Sequence, residues 1–186
     1  DALNLLSNAD EYDINLLLIP GIIDNINNAH DGIISKAIDV CEGRGDAFLI
    51  YDVVDKDTAN LGTVTAEARN RDTNYGATYW PWVKIPDLEL GTTKWVPPSV
   101  VMGGIFAFND KVAHPWFAPA GFNRGSLLDV VNTEVRLSSA DRDTLYDSRI
   151  NPIANFPQGG FVIFGQKTLQ LKKSALDRVN VRRMLL

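Results

Sequence analysis

Two histidines, His30 and His114, and one cysteine, Cys41, are the only imidazole and thiol groups in the chain. Zinc sites need such groups paired at short, regular spacing, and these three are scattered, so no metal is expected. His30 lies near the start of a helical stretch and His114 precedes Pro115, positions that suit structural roles. A hydrolytic serine sits on a G-x-S-x-G elbow, and no such pentapeptide occurs. Neither G-x-G-x-x-G nor G-x-x-x-x-G-K-S/T is present. The run Gly121-Phe122-Asn123-Arg124-Gly125 puts a bulky ring where a phosphate cradle requires open backbone. Asp141 and Asp143 flank Arg142 and could be drawn as an acid/base pair, but on a short surface helix such a run is ordinarily solvated and pairs with itself. No nucleophile, base and orienting group assemble from these residues, so neither catalysis nor a cofactor is expected.

Composition narrows the class further. A chain of 186 residues with 45% hydrophobic and 22% charged side chains is long enough for a single domain with a true core. Unbroken apolar runs such as Leu16 to Ile19 are far too short to span a bilayer. A lone cysteine cannot form an internal disulfide. The formal net charge of -5 is unevenly spread: residues 1–60 carry 12 acidic and 3 basic side chains, residues 61–120 carry 5 of each, and residues 121–186 carry 6 acidic and 10 basic. That polarity suits head-to-tail stacking of copies or a basic end set on an acidic partner, or is simply solvated surface. With a pI near 5.0 and no recognition module, direct nucleic-acid binding is not expected.

The elements that would position these residues alternate between strand and helix. Leu3, Leu5 and Leu6 suggest a short opening helix. Ile14 to Ile19, closed by Pro20-Gly21, reads as a strand buried on both faces. Ile26, Ala29, Ile33, Ile34, Ala37, Ile38 and Cys41 recur at helical spacing, and Ala47 to Val54 forms a second buried strand, giving a β-α-β unit. Asp55 to Thr73 reads as a loop with a short helix around Val64 to Arg69. Ala77 to Ile85 reads as one aromatic strand interrupted by Pro81, hence an edge or a bulge. Pro86 to Lys94 is a connection or solvent-facing hairpin. A helix starts near Ser99 with Val101, Ile105, Phe108 and Val112 on one face; Gly103 and Gly104 inside it imply close backbone packing. Ser126 to Val131 reads as a strand, Ser139 to Tyr146 as a helix stopped by Asn151-Pro152, Gly160 to Gly165 as a buried strand and Ser174 to Leu186 as largely helical. The expected fold is a single α/β domain with a mainly parallel or mixed sheet flanked by helices.

Several blocks carry a resemblance. Trp95-Val96-Pro97-Pro98-Ser99 is followed by Trp116 and Ala118-Pro119-Ala120-Gly121-Phe122-Asn123-Arg124-Gly125. Tyr79-Trp80-Pro81-Trp82-Val83, Ile150-Asn151-Pro152-Ile153, Phe164-Gly165-Gln166-Lys167-Thr168-Leu169 and Val179-Asn180-Val181-Arg182-Arg183-Met184-Leu185 complete an ordered set of six, spanning residues 79–185. Together they resemble the tail sheath proteins of contractile-tailed bacteriophages and related contractile injection machines. The family's Ala-Arg-Thr-Asp run stands here as Ala107-Phe108-Asn109-Asp110, without the arginine.

The resemblance implies a structural subunit without an active site. It would polymerise as a helical stack of hexameric rings around a tail tube, contact a baseplate and contract to drive the tube through a cell envelope. It implies a virion-tail location with assembly in the host bacterial cytoplasm, and no membrane insertion. Residues 1–186 would be the core domain of a longer chain, without its N-terminal arm, outer domains and C-terminal arm. Lys172, Lys173 and Arg178 are the candidate contacts to tube or neighbour. Arg124, Arg182 and Arg183, in apolar surroundings, suit structural clamps or interface contacts. Trp80, Trp82, Trp95 and Trp116, with Gly103 and Gly104, are the candidate packing residues. The competing classes are an α/β enzyme or nucleotide-binding domain with a dispersed site, and another tail-associated scaffold.

Overall fold

In the computed structural model, which describes residues 2–26, 28–58 and 60–186, the fold is built on a five-stranded mixed sheet. Its strands are β1 (Leu16–Ile23), β2 (Phe48–Asp52), β3 (Gly76–Trp80), β7 (Ile150–Phe156) and β8 (Gly160–Ile163), in that spatial order. The first four run parallel, and β8 closes the edge antiparallel to β7. A second, three-stranded antiparallel sheet has the order β5 (Thr92–Val96), β4 (Val83–Asp87) and β6 (Asn132–Thr133). The helices are α1 (Ala2–Leu6), α2 (Asn28–Arg44), α3 (Leu61–Ala68), α4 (Pro98–Val112), α5 (Gly121–Arg124), α6 (Ser139–Asp147) and α7 (Val179–Met184), with a 3-10 turn at Ala175–Asp177.

The alternation of side chains along the central strands divides the core in two. On one face Leu49, Tyr51 and Ile150 pack with Ile34 and Cys41 of α2, Val64 of α3 and Leu145 of α6. On the other, Phe48, Ile50, Tyr79 and Ile153 pack with Met102, Ile105 and Phe106 of α4 and Val179 of α7. Every residue of β2 and β3 is buried, as strands with neighbours on both edges and helices on both faces must be. The α/β fold with a mainly parallel sheet flanked by helices is therefore as the strand-helix alternation implies.

Several local expectations are corrected. β1 does not stop at Pro20-Gly21 and is not buried on both faces. It continues to Ile23 through a register irregularity between Leu18 and Ile23, with Gly21 at φ +86°. β1 pairs only with β2, so a proline without an N–H is tolerated there. The aromatic stretch is two strands in two sheets. β3 is central, and Pro81, joined to Trp80 by a cis peptide, lies where the chain leaves one sheet for the other.

Asn151-Pro152, read as a helix stop, lies inside β7, near its start. The Asn151 amide donates to the carbonyls of Thr78 (3.0 Å) and Lys167 (2.8 Å), while its Oδ1 accepts from the Lys167 N–H. Ser126 to Val131 is not a strand. Ser126 makes one isolated bridge to Val162, and Leu127 and Val130 then turn into the core. On α4 the buried residues are Pro98, Ser99, Met102, Ile105, Phe106 and Asn109, whereas Phe108 and Val112 are exposed. The helix is rotated from the face its apolar residues imply, because two polar side chains have partners inside.

Candidate functional site

The distinctive region is assembled around α4 and the loop after it. Pro98 at the first helical position lacks an N–H that would there be unpaired. The cap comes from another element. Ser99 donates its N–H to Asp52 Oδ1 (3.0 Å) and its hydroxyl to Asp52 Oδ2 (2.6 Å), with Asp52 buried at the end of β2. Burial pushes the Asp52 carboxyl up to about 6, against the lowering effect of both Ser99 hydrogen bonds. Gly103 lets β1 come close, since a Cβ there would lie 2.8 Å from Leu18 Cδ1. Nothing lies within 4 Å of a Cβ built at Gly104, which faces open space.

At the C-terminal end of α4, buried Asn109 donates through Nδ2 to the carbonyls of His114 (3.2 Å) and Phe117 (3.3 Å), holding the aromatic loop. Asp110 accepts two hydrogen bonds from Arg183, at 2.8 and 2.7 Å. Burial alone would raise the Asp110 carboxyl, but the hydrogen bond and charge of Arg183 prevail and hold it below the usual range. The Arg183 guanidinium also lies over the Phe106 ring at 4.8 Å. Arg182 is buried with its guanidinium 3.5 Å from the Tyr75 ring centroid. Arg124 donates to the Ala118 carbonyl (3.1 Å) and stacks over Phe117.

The remaining sequence candidates fall in different places. Arg178 donates to Asp177 (2.9 Å) and to the Tyr146 hydroxyl (2.6 Å), so its guanidinium is engaged within the chain. Lys172 and Lys173 are exposed side by side. Trp80 is buried in the sheet, and Trp82 donates its indole N–H to the Val54 carbonyl (2.9 Å). Trp95 is half-buried, with the ammonium of Lys84 5.5 Å from its ring centroid. Trp116 is 47% exposed and stacks on His114 at 4.3 Å, while its carbonyl accepts from Asn180 of α7.

Three further arginines were not singled out by sequence reasoning. Arg44 joins Asp46 (2.8 and 2.9 Å) to the carbonyls of Leu6 (2.6 Å) and Tyr12 (2.7 Å). Arg71 ties Asp24, Asp31 and Ser35 together. Arg149, at φ +69°, donates to the carbonyls of Arg71 (2.7 Å), Ala68 (3.4 Å) and Leu169. No local pattern marks Arg149, whose partners lie 20 to 81 residues away. Among the described residues no group of three or more His, Cys, Asp or Glu could hold a metal ion, and no helix is long and apolar enough to cross a membrane. What the region does chemically is to lock loops and helix ends into one body.

The phage tail sheath protein central domain family matches residues 1–169. The tail sheath protein of Vibrio phage KVP40 is 46% identical over 91 residues, which are 49% of this chain and 14% of that protein. The corresponding protein of Enterobacteria phage T4 is 40% identical over the same extent. Both alignments therefore cover only a small part of those proteins. Among solved structures, the PVC sheath complex of an extracellular contractile injection system, in the contracted state, shares the fold with a TM-score of 0.75. That likeness covers 98% of this chain and 48% of that one, at 24% identity. With the family match running from the first residue through β8 and beyond, the chain belongs to the phage tail sheath protein central domain family.

Proposed function

We propose that this chain is the rigid part of a contractile tail sheath subunit. Copies stack as a helix of rings around a tail tube, the stack is anchored at a baseplate, and a shift between two packings of the same subunits drives the tube into its target. No active site is needed for that work, because the free energy comes from the difference between the two packings. Contacts between unlike surfaces that do not close on themselves generate helical stacks of this kind. By the same reading the protein acts in the virion tail after assembly in the host cytoplasm, and hexameric rings are the expected repeat.

The observation that carries the reading is the family match over residues 1–169, which takes in the whole parallel sheet with α2, α4 and α6. The internal clamps agree with it. A subunit that moves as a body needs its loops tied to its core; Arg183 and Arg149 each tie segments far apart in sequence, and Asn109 ties the aromatic loop to α4. In this reading Arg124, Arg182 and Arg183 serve as clamps, and Lys172 and Lys173 supply the cationic contact to tube or neighbour. Arg178 supports that contact through Tyr146. Electron microscopy of the full-length protein tests the proposal, with tubes or stacked rings as the expected result. A discrete monomer whose melting temperature rises with added nucleotide would instead favour an α/β enzyme or nucleotide-binding domain.

A further inference from the structure

At the β7–β8 edge three phenylalanines form a surface cluster without a large apolar cover. Phe122 and Phe156 centroids are 5.2 Å apart, Phe156 and Phe164 5.0 Å, and Phe122 is 52% and Phe164 44% exposed. The cluster is built in. A Cβ at Gly159 would lie 2.5 Å from the Phe122 ring, so only glycine in that turn lets the ring lie across it. Hollows open on either side. One of about 430 Å³ is walled by Arg142, Asp143, Tyr146, Phe164 and Gln166, and one of about 600 Å³ by Phe122, Phe156 and Pro157. Between them the Arg142 guanidinium lies 5.2 Å from the Phe156 centroid and 5.9 Å from that of Phe164. Its one hydrogen bond among the described residues is a long one, 3.4 Å, to the Leu137 carbonyl. Lys167, 4.4 Å from the Tyr146 centroid, adds a second positive charge at that wall. The surface thus offers a mixed hollow with aromatic walls, a cation and an apolar hollow.

The opposite pattern protrudes from the other sheet. In the β4–β5 turn Leu88 is 91% and Leu90 75% exposed, with Glu89 between them. The turn is preset: Asp87 Oδ1 accepts from the N–H groups of Glu89 (3.2 Å) and Leu90 (3.3 Å), and Asp87 Oδ2 accepts from Lys94. Asp87 is therefore satisfied, while the Glu89 carboxylate has no partner among the described residues. Two leucines displayed on an ordered turn around a free carboxylate match two hollows around an under-used guanidinium. We propose that the Leu88-Glu89-Leu90 turn of one copy docks on the Phe122/Phe156/Phe164 cluster of a second copy, with Glu89 on Arg142.

The turn and the cluster are different surfaces of one chain, so a copy can give its turn to one neighbour and receive another's turn on its cluster, a heterologous contact that can propagate from copy to copy. It rests on the self-assembly proposed above. In the full-length protein, Glu89→Lys and Arg142→Glu should each abolish the polymer seen by electron microscopy, and the combined swap should restore it, with melting temperatures near that of the parent. Polymer from either single variant, or none from the folded double variant, overturns this contact while the parent's polymer leaves the assembly reading intact. A parent that forms no polymer overturns both. Should Arg142→Glu unfold the protein, Leu88→Ser with Leu90→Ser removes only exposed side chains, and polymer retained by that variant overturns the contact equally.

Discussion

Asp52 and Asp110 bracket α4 and respond to pH in opposite senses. Asp110 is paired with a guanidinium, so its stabilising contribution is present above the ordinary carboxylate range and is lost as acid protonates it. Asp52 has only neutral donors. Its carboxyl is raised from 3.8 to about 6, so the folded state takes up a proton before the unfolded chain does. Stability must therefore increase as pH falls from above 6 to below 4, by about 3 kcal/mol at most. Asp52→Asn keeps an acceptor for the Ser99 N–H and removes the charge. Denaturant melts between pH 4 and pH 8 should show that rise in the parent and lose it in Asp52→Asn, which should be no less stable than the parent at pH 8. A parent profile flat between pH 4 and pH 6 would show that Asp52 ionises normally. None of this is visible in the sequence, where Asp52 and Ser99 are 47 residues apart; nor is the Arg149 clamp, whose acceptors are all backbone carbonyls. Side chains that bond to backbone leave no compositional trace at the partner.

At the scale of elements, the two glycines of α4 separate propensity from packing. Gly104 is exposed with open space around it, so Gly104→Ala should add the intrinsic helix preference of alanine, about 1 kcal/mol. Gly103→Ala gains the same preference but forces Leu18 of β1 to rotate away from a 2.8 Å contact, so its net gain should be smaller or reversed. Thermal melting of both variants checks the order, and a Gly103→Ala melting temperature at or above that of Gly104→Ala would contradict it. The helix itself was legible from its apolar spacing, as were β2, α6 and most of α2, although Ile26 and Ile33 of the expected face of α2 are exposed. Its orientation was not, because buried Ser99 and Asn109 are polar and exposed Phe108 and Val112 are apolar. Besides Pro20, which β1 runs through, two prolines misled for one reason. Pro81 follows a central strand and Pro152 sits within one, each beside neighbours distant in sequence that decide which backbone groups need partners. The three-stranded sheet was unread because β6 is two residues long and joins β4 only through the tertiary fold.

For the whole molecule, the acidic-to-basic gradient along the sequence is not the gradient on its surface. Of the ten basic side chains after residue 120, Arg149, Arg182 and Arg183 are buried and Arg178 is bound to Asp177 and Tyr146. Arg44 and Arg71 similarly neutralise carboxylates within the acidic third. Arg136 is exposed as well and Arg142 is only weakly engaged, but the positive charge open to the proposed tube or neighbour is densest at Lys172 and Lys173, adjacent and exposed between β8 and α7. Contacts of such exposed ammonium groups are weak singly and screened over about 10 Å at 0.1 M salt, which suits the releasable packing of the proposed contraction. Lys172→Glu with Lys173→Glu should leave the melting temperature unchanged, since neither side chain enters the core, while reducing co-assembly with the tube. Added salt should weaken the parent's co-assembly in the same direction and affect the reversed variant little. Sedimentation of full-length protein with tubes across a salt series measures both effects. Equal co-sedimentation of parent and variant at low salt would show that the tube is gripped elsewhere, and would move the search to the acidic surface of residues 1–60.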